Sequence, residues 1–94
     1  MVLKSINFDK TSSSWTKDRE YNDMFLLRIE RFINDLIYDR GYIYLNQIYE
    51  MLGLKWNPED ENPCIRKHGE QLTFMEFELF HQSNNTILIH IHCY

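Results

Sequence analysis

The stretch that decides the fold is NDMFLLRIERFINDLIYDRGYIYLNQIYEMLG, residues 22–53. Within it, Phe25, Leu26, Ile29, Phe32, Ile33, Leu36 and Ile37 recur at intervals of three and four, which at 3.6 residues per turn gives one broad apolar face. Arg28, Glu30, Arg31, Asn34, Asp35 and Asp39 take the opposite face. Gly41 stands where a left-handed C-cap belongs, with Arg40 in the last turn to suit the helix dipole. Thr16 or Asn22 is the expected N-cap, and Asp18, Glu20 and Asp23 suit a first turn. Tyr42-Ile43-Tyr44 is too short and aromatic to continue the helix. Asn46 then caps a second one, with Leu45, Ile48, Tyr49 and Leu52 at helical spacing and Gly53 at its end. About two turns are not stable alone, so this short helix must pack on the rest of the chain.

Outward from this pair the pattern changes to a period of two. Val2, Ile6 and Phe8 read as one face of an edge strand that Lys4 interrupts. Residues 10–14 form a polar, serine-rich connector, and Trp15 packs at the edge of the core beside the long helix. On the C-terminal side, Gln71–Phe80 reads as a strand with Met75, Phe77 and Leu79 on one face and Leu72, Phe74, Glu76, Glu78 and Phe80 on the other. Ser83-Asn84-Asn85 is a turn, since asparagine tolerates positive φ. The following strand puts Ile87, Ile89, Ile91 and Cys93 on one side and Leu88, His90, His92 and Tyr94 on the other. The expected fold is α+β: one long amphipathic helix and a short helix on a two- to three-stranded antiparallel sheet. A single domain spans 1–94, with an edge strand and connector at 1–15, the helical pair at 16–53, an acidic proline-containing loop at 54–70 and a β-hairpin at 71–94.

Charge narrows the function classes. The net charge is −4, and residues 1–40 balance seven basic against seven acidic side chains, so all of it lies in the second half. Phosphate contacts supply most nucleic-acid affinity, so direct DNA or RNA binding is disfavoured and a basic protein surface is the better match. No apolar run approaches the roughly 20 residues of a membrane span. Nor do residues 1–10 carry the apolar core of a signal peptide, so a cytoplasmic location is expected. Cys64 and Cys93 fit that compartment as free thiols, a disulfide between them requiring that the fold bring them together.

Chemistry finds little support. Cys93 is expected as a small core side chain, because adjacent strand residues face opposite ways and His92 does not activate it. Glu76 and Glu78, about 7 Å apart along a strand, resemble a glycosidase pair, but a chain this short leaves little room for a sugar cleft. The three glycines stand apart, so no phosphate loop exists. No enzymatic activity and no cofactor are expected. Cys64, His68, His90 and His92, with His81, are the right ligand types for zinc but lack a CxxC motif. An aromatic cluster of Tyr42, Tyr44, Tyr49 and Trp56 reads as a protein-binding patch, and the best binding residues are Tyr42, Tyr44 and Trp56 with the acidic Glu59, Asp60, Glu61, Glu70, Glu76 and Glu78.

Arg40-Gly41-Tyr42-Ile43-Tyr44-Leu45-Asn46-Gln47-Ile48-Tyr49-Glu50-Met51-Leu52-Gly53 resembles a segment of small phage and prophage domains of Gram-positive bacteria. Their pattern is Arg-Gly, an aliphatic/aromatic pair, Leu-Asn-Glu-Val-Tyr and a closing Leu-Gly. Here Gln47 replaces the Glu and Ile48 the Val, and the likeness covers residues 36–56. It transfers no activity and implies a phage or mobile-element origin. The expectation is a non-enzymatic, anti-CRISPR-like inhibitor whose carboxylates stand in for phosphates on a host nuclease. A homo-oligomeric phage assembly component and a small zinc module are the competing readings.

Overall fold

The computed structural model describes residues 2–60, 64–66 and 74–94, and at 60 and 64–66 it describes the backbone path alone. In chain order the elements are β1 (Val2–Phe8), α1 (Arg19–Arg40), β2 (Tyr42–Tyr44), α2 (Leu45–Met51), β3 (Cys64–Arg66), β4 (Met75–His81) and β5 (Ile87–Cys93). β1, β5 and β4 form an antiparallel sheet in that order, and β2 pairs with β3 in a second, two-stranded sheet. The fold is α+β.

Strand periodicity sorts the side chains of the larger sheet as expected. Met75, Phe77, Ile87, Ile89 and Ile91 are buried, while Glu76, Glu78 and Phe80 face outward. Asn84 and Asn85 take positive φ, at 58° and 57°, in the turn between β4 and β5. β1 joins the sheet with a twist in its reading. Val2 pairs with His92 but Lys4 with Ile91, so the register shifts between them. That bulge turns Val2 to the outward face, away from Ile6 and Phe8.

α1 starts at Asp18, whose carboxylate accepts from the Tyr21 N–H at 3.1 Å. Neither Thr16 nor Asn22 is the cap. Asn22 is wholly buried, and its amide binds both the N–H and the C=O of Thr16, at 3.0 and 2.8 Å. The helix ends as its sequence indicates, with Gly41 at φ 86° and its N–H on the Ile37 carbonyl. Its apolar face is narrower than the spacing implies. Leu26, Ile33 and Ile37 are buried, Phe25, Ile29 and Leu36 are partly so, and Phe32 is 52% exposed.

α1 runs antiparallel to β4 and closes its edge. Asn34 binds the Met75 N–H and C=O at 2.7 and 2.8 Å, and Glu30 accepts from the Phe77 N–H at 2.8 Å. Four helical residues rise about 6 Å and two strand residues about 6.7 Å, so the two ladders keep step. At the far end Asp23 meets His81 at 2.7 Å, Asn85 donates to the Lys17 carbonyl, and Trp15 donates to that of Asn85.

The segment after α2 is not the unstructured loop its composition implies. A 3-10 turn occupies Pro58–Asp60, and β3 pairs residue by residue with β2 (Tyr42↔Arg66, Ile43↔Ile65, Tyr44↔Cys64). Tyr42-Ile43-Tyr44 is therefore a strand with Ile43 buried, rather than a bare junction. Tyr44 occupies the N-cap of α2 and gives its N–H to Gln47 Oε1 at 3.0 Å. Asn46 lies inside the helix and holds the N–H and C=O of Asn57, at 2.9 and 3.1 Å. The serines are not a loose connector either. Ser12 is buried and donates to the Leu52 carbonyl, and Ser13 donates its N–H to Gly53. Among the described residues one core cluster joins β1, α1, β2, α2, β4 and β5: Phe8, Leu26, Ile33, Ile37, Ile43, Leu45, Ile48, Leu52, Met75, Phe77, Ile87, Ile89 and Ile91.

Candidate functional sites

Two surfaces gather the side chains that the sequence marks for function. The first follows β2 and α2. Tyr42 and Tyr44 are i, i+2 on a strand and leave the same side, with ring centroids 5.6 Å apart in an edge-on arrangement. The Arg40 guanidinium lies over the Tyr42 ring at 5.3 Å. Gln47 binds the Tyr44 N–H, and Glu50 follows three residues later on the same side of α2. Glu50 in turn accepts from the Trp56 indole N–H at 3.3 Å. Both tyrosines are 39% exposed and Trp56 is 63% exposed. Glu59 is exposed just beyond, its N–H held by Asn57. Along β2 and α2 the chain thus carries a strip of exposed rings, with Arg40 at the Tyr42 end and the carboxylates of Glu50 and Glu59 at the Trp56 end.

The second surface is the outward face of the larger sheet. Glu76 stands opposite His92 and Glu78 opposite His90. Glu78 Oε1 lies 3.0 Å from His92 Nε2 and 3.7 Å from His90 Nδ1. Rings frame the group: Phe80 against His90 at 4.8 Å, Tyr94 stacked with His92 at 6.1 Å and with Phe74 at 4.9 Å. The Tyr94 hydroxyl donates to Glu76 at 3.2 Å. Partial desolvation, that hydrogen bond and the charges of Glu76 and Glu78 push its pKa above the usual phenol value.

The structure thus divides the expected binding residues. Tyr42, Tyr44, Trp56 and Glu59 share the α2 side, whereas Glu76 and Glu78 belong to the histidine face. Tyr49 leaves the expected patch, because its position on α2 turns it into the core, where it is buried. Glu61, His68 and Glu70 lie outside the described residues, as do the side chains of Asp60 and Cys64. His81 is drawn off to Asp23 on α1, away from the other histidines. Cys93 is a free, half-buried thiol whose pKa burial pushes up, in keeping with a packing role. Glu78 is the member of the histidine group that the sequence did not single out as a ligand. The signal was present: a carboxylate two to four residues from a strand end meets its hairpin partner once the turn length is fixed.

A family model described as a family of unknown function, DUF6353, matches residues 3–84, which is most of the chain and every element up to the turn before β5. The chain belongs to the DUF6353 family. No curated protein and no solved structure matches it. The DUF6353 match takes in the whole aromatic strip together with Glu76 and Glu78. His90 and His92 lie beyond it, on the last strand. Among the described residues no helix is long and apolar enough to cross a membrane.

Proposed function

We propose that this DUF6353 chain is a non-enzymatic protein-binding domain that docks through the strip Tyr42, Tyr44, Glu50, Trp56 and Glu59. The observation that carries this reading is Trp56. Its ring is 63% exposed, yet its indole N–H is held by Glu50, so the ring is set outward before any partner arrives. Exposed tyrosine and tryptophan with few rotatable bonds are the side chains that dominate interface hot spots, and a ring already fixed loses little entropy on docking. The carboxylates beside it select for a basic partner. A host nuclease, whose nucleic-acid groove is basic, is the specific partner that the phage-like segment and the acidic second half favour. In that form the chain is an anti-CRISPR-like inhibitor acting in the cytoplasm of a bacterial host.

The test is binding to a purified nuclease captured by the untagged domain, followed across salt. Trp56→Ala is expected to weaken binding by at least tenfold, about 1.4 kcal/mol. Raising salt from 50 to 500 mM should weaken it further through screening of Glu50 and Glu59. Binding that ignores both changes overturns the assignment. A defined homo-oligomer that captures no other protein would instead place the chain among assembly components.

A further inference from the structure

We infer that Glu78, His90 and His92 form a site for a divalent transition-metal ion, with zinc as its best fit. The inference concerns a different face from the aromatic strip and does not rest on the binding role proposed for it.

The site arises from strand geometry. His90 and His92 are two apart on β5, so both imidazoles leave the same side of the sheet. The β4–β5 register puts Glu78 directly across from His90 and one pair diagonal to His92. One carboxylate oxygen therefore reaches both rings. It lies 3.0 Å from His92 Nε2 and 3.7 Å from His90 Nδ1, and the three ligand atoms all fall within 4.8 Å of one another. A tetrahedral zinc ion with bonds of about 2.0–2.1 Å wants its ligand atoms about 3.3 Å apart, so closing the set takes a small turn of the side chains. Two imidazole nitrogens and one carboxylate are a donor set suited to zinc and its first-row neighbours and ill-suited to calcium or magnesium, which prefer all-oxygen cages.

The surroundings favour the same chemistry. His92 and His90 are largely covered, at 16% and 28% side-chain exposure, while Glu78 is half open. Phe80 and Tyr94 pack against the two imidazoles and limit the positions each ring can take. Tyr94 occupies Glu76 with a hydrogen bond, which leaves Glu78 to the histidines. Three protein ligands leave at least one coordination position facing solvent, the arrangement of an open site rather than a closed structural one. Glu78 Oε1 and His92 Nε2 already lie at hydrogen-bond distance, so two of the ligands stand together before an ion is bound.

The experiment uses the full, untagged chain after chelation and dialysis. Isothermal titration with zinc chloride should show one ion bound per chain, and cobalt should give the visible absorption of a site with nitrogen ligands. Glu78→Gln and His92→Gln should each weaken zinc binding at least about tenfold. Glu76→Gln, one pair along the same face, should change it far less. Circular dichroism of each variant checks that the fold is retained, and nitrogen NMR of the His90 and His92 rings should show both resonances moving on zinc addition. The inference fails if no stoichiometric uptake occurs at 100 µM zinc. It fails equally if uptake survives Glu78→Gln and His92→Gln unchanged, which would place the ion elsewhere.

Discussion

At the scale of single residues, three asparagines do the same unexpected job. Asn22, Asn34 and Asn46 each hold both the N–H and the C=O of one distant residue: Thr16, Met75 and Asn57. A side-chain amide carries one acceptor and a donor in the geometry of a peptide group, so each behaves as a one-residue strand partner. The sequence offered Asn22 and Asn46 as helix caps because asparagine is a good cap and local rules see only local partners. Asparagine to aspartate is the sharpest probe, since it keeps the shape and removes the donor. Asn22→Asp, wholly buried, is expected to cost about 2–4 kcal/mol by urea unfolding, and Asn46→Asp about 1–3 kcal/mol, because each leaves a carbonyl facing a carboxylate oxygen. The glycines give a second contrast. Both Gly41 and Gly53 take positive φ, but a Cβ on Gly41 meets nothing, whereas one on Gly53 falls 2.9 Å from the Ser14 backbone nitrogen. Gly41→Ala should therefore cost about 1 kcal/mol for conformation alone. Gly53→Ala should cost about 2–4 kcal/mol, because the serine turn must also move. Equal costs at the two positions would refute the docking of residues 12–14 onto α2.

At the scale of elements, α1 acts as a cover for the β4 edge as well as a core helix. An open edge is a template for pairing with another chain. Here Asn34 and Glu30 fill the Met75 and Phe77 positions from the helix side. The double variant Glu30→Ala with Asn34→Ala is expected to lose about 2–4 kcal/mol. It should also show concentration-dependent light scattering below its unfolding midpoint. A variant that is less stable but stays monomeric would mean the edge needs no cover. This element also shows what was legible. The long helix, its glycine stop, the β4–β5 hairpin and the inward set Met75, Phe77, Ile87, Ile89 and Ile91 follow from periodicity, because each face is decided by its own neighbours in sequence. The pairing of β2 with β3 was not legible: three-residue strands carry too little alternation, and their partner lies across a proline-containing stretch. Nor was the outward turn of Val2, since a bulge reverses faces without changing composition. The candidate site was half visible. His90 and His92 stood out by spacing, while Glu78 became a ligand only through register.

At the scale of the whole molecule, both sheets and both helices share one core. Ile43, Leu45, Ile48 and Leu52 from the β2–α2 side belong to the same cluster as Ile87, Ile89 and Ile91 from the larger sheet, with Leu26, Ile33 and Ile37 of α1 among them. A chain of 94 residues buries only about 60–65% of its unfolded surface. Its stability then lies in the usual range of about 5–15 kcal/mol, too little for either side to persist once the shared helix is lost. The two tryptophans report on different elements. Trp15 donates to Asn85 at the β4–β5 turn, and Trp56 donates to Glu50 on α2. With both indoles fluorinated, fluorine NMR should give the same urea midpoint for each, because unfolding of a small single core is cooperative. Ile33→Ala, which empties a wholly buried position on α1, is expected to cost about 2–5 kcal/mol and to lower both midpoints by the same amount. If the Trp56 signal moved ahead of the Trp15 signal, the β2–α2 side would be a separate unit resting on the sheet. The proposed binding strip would then sit on the less stable part of the molecule, and the outward setting of Trp56 would depend on the partner rather than precede it.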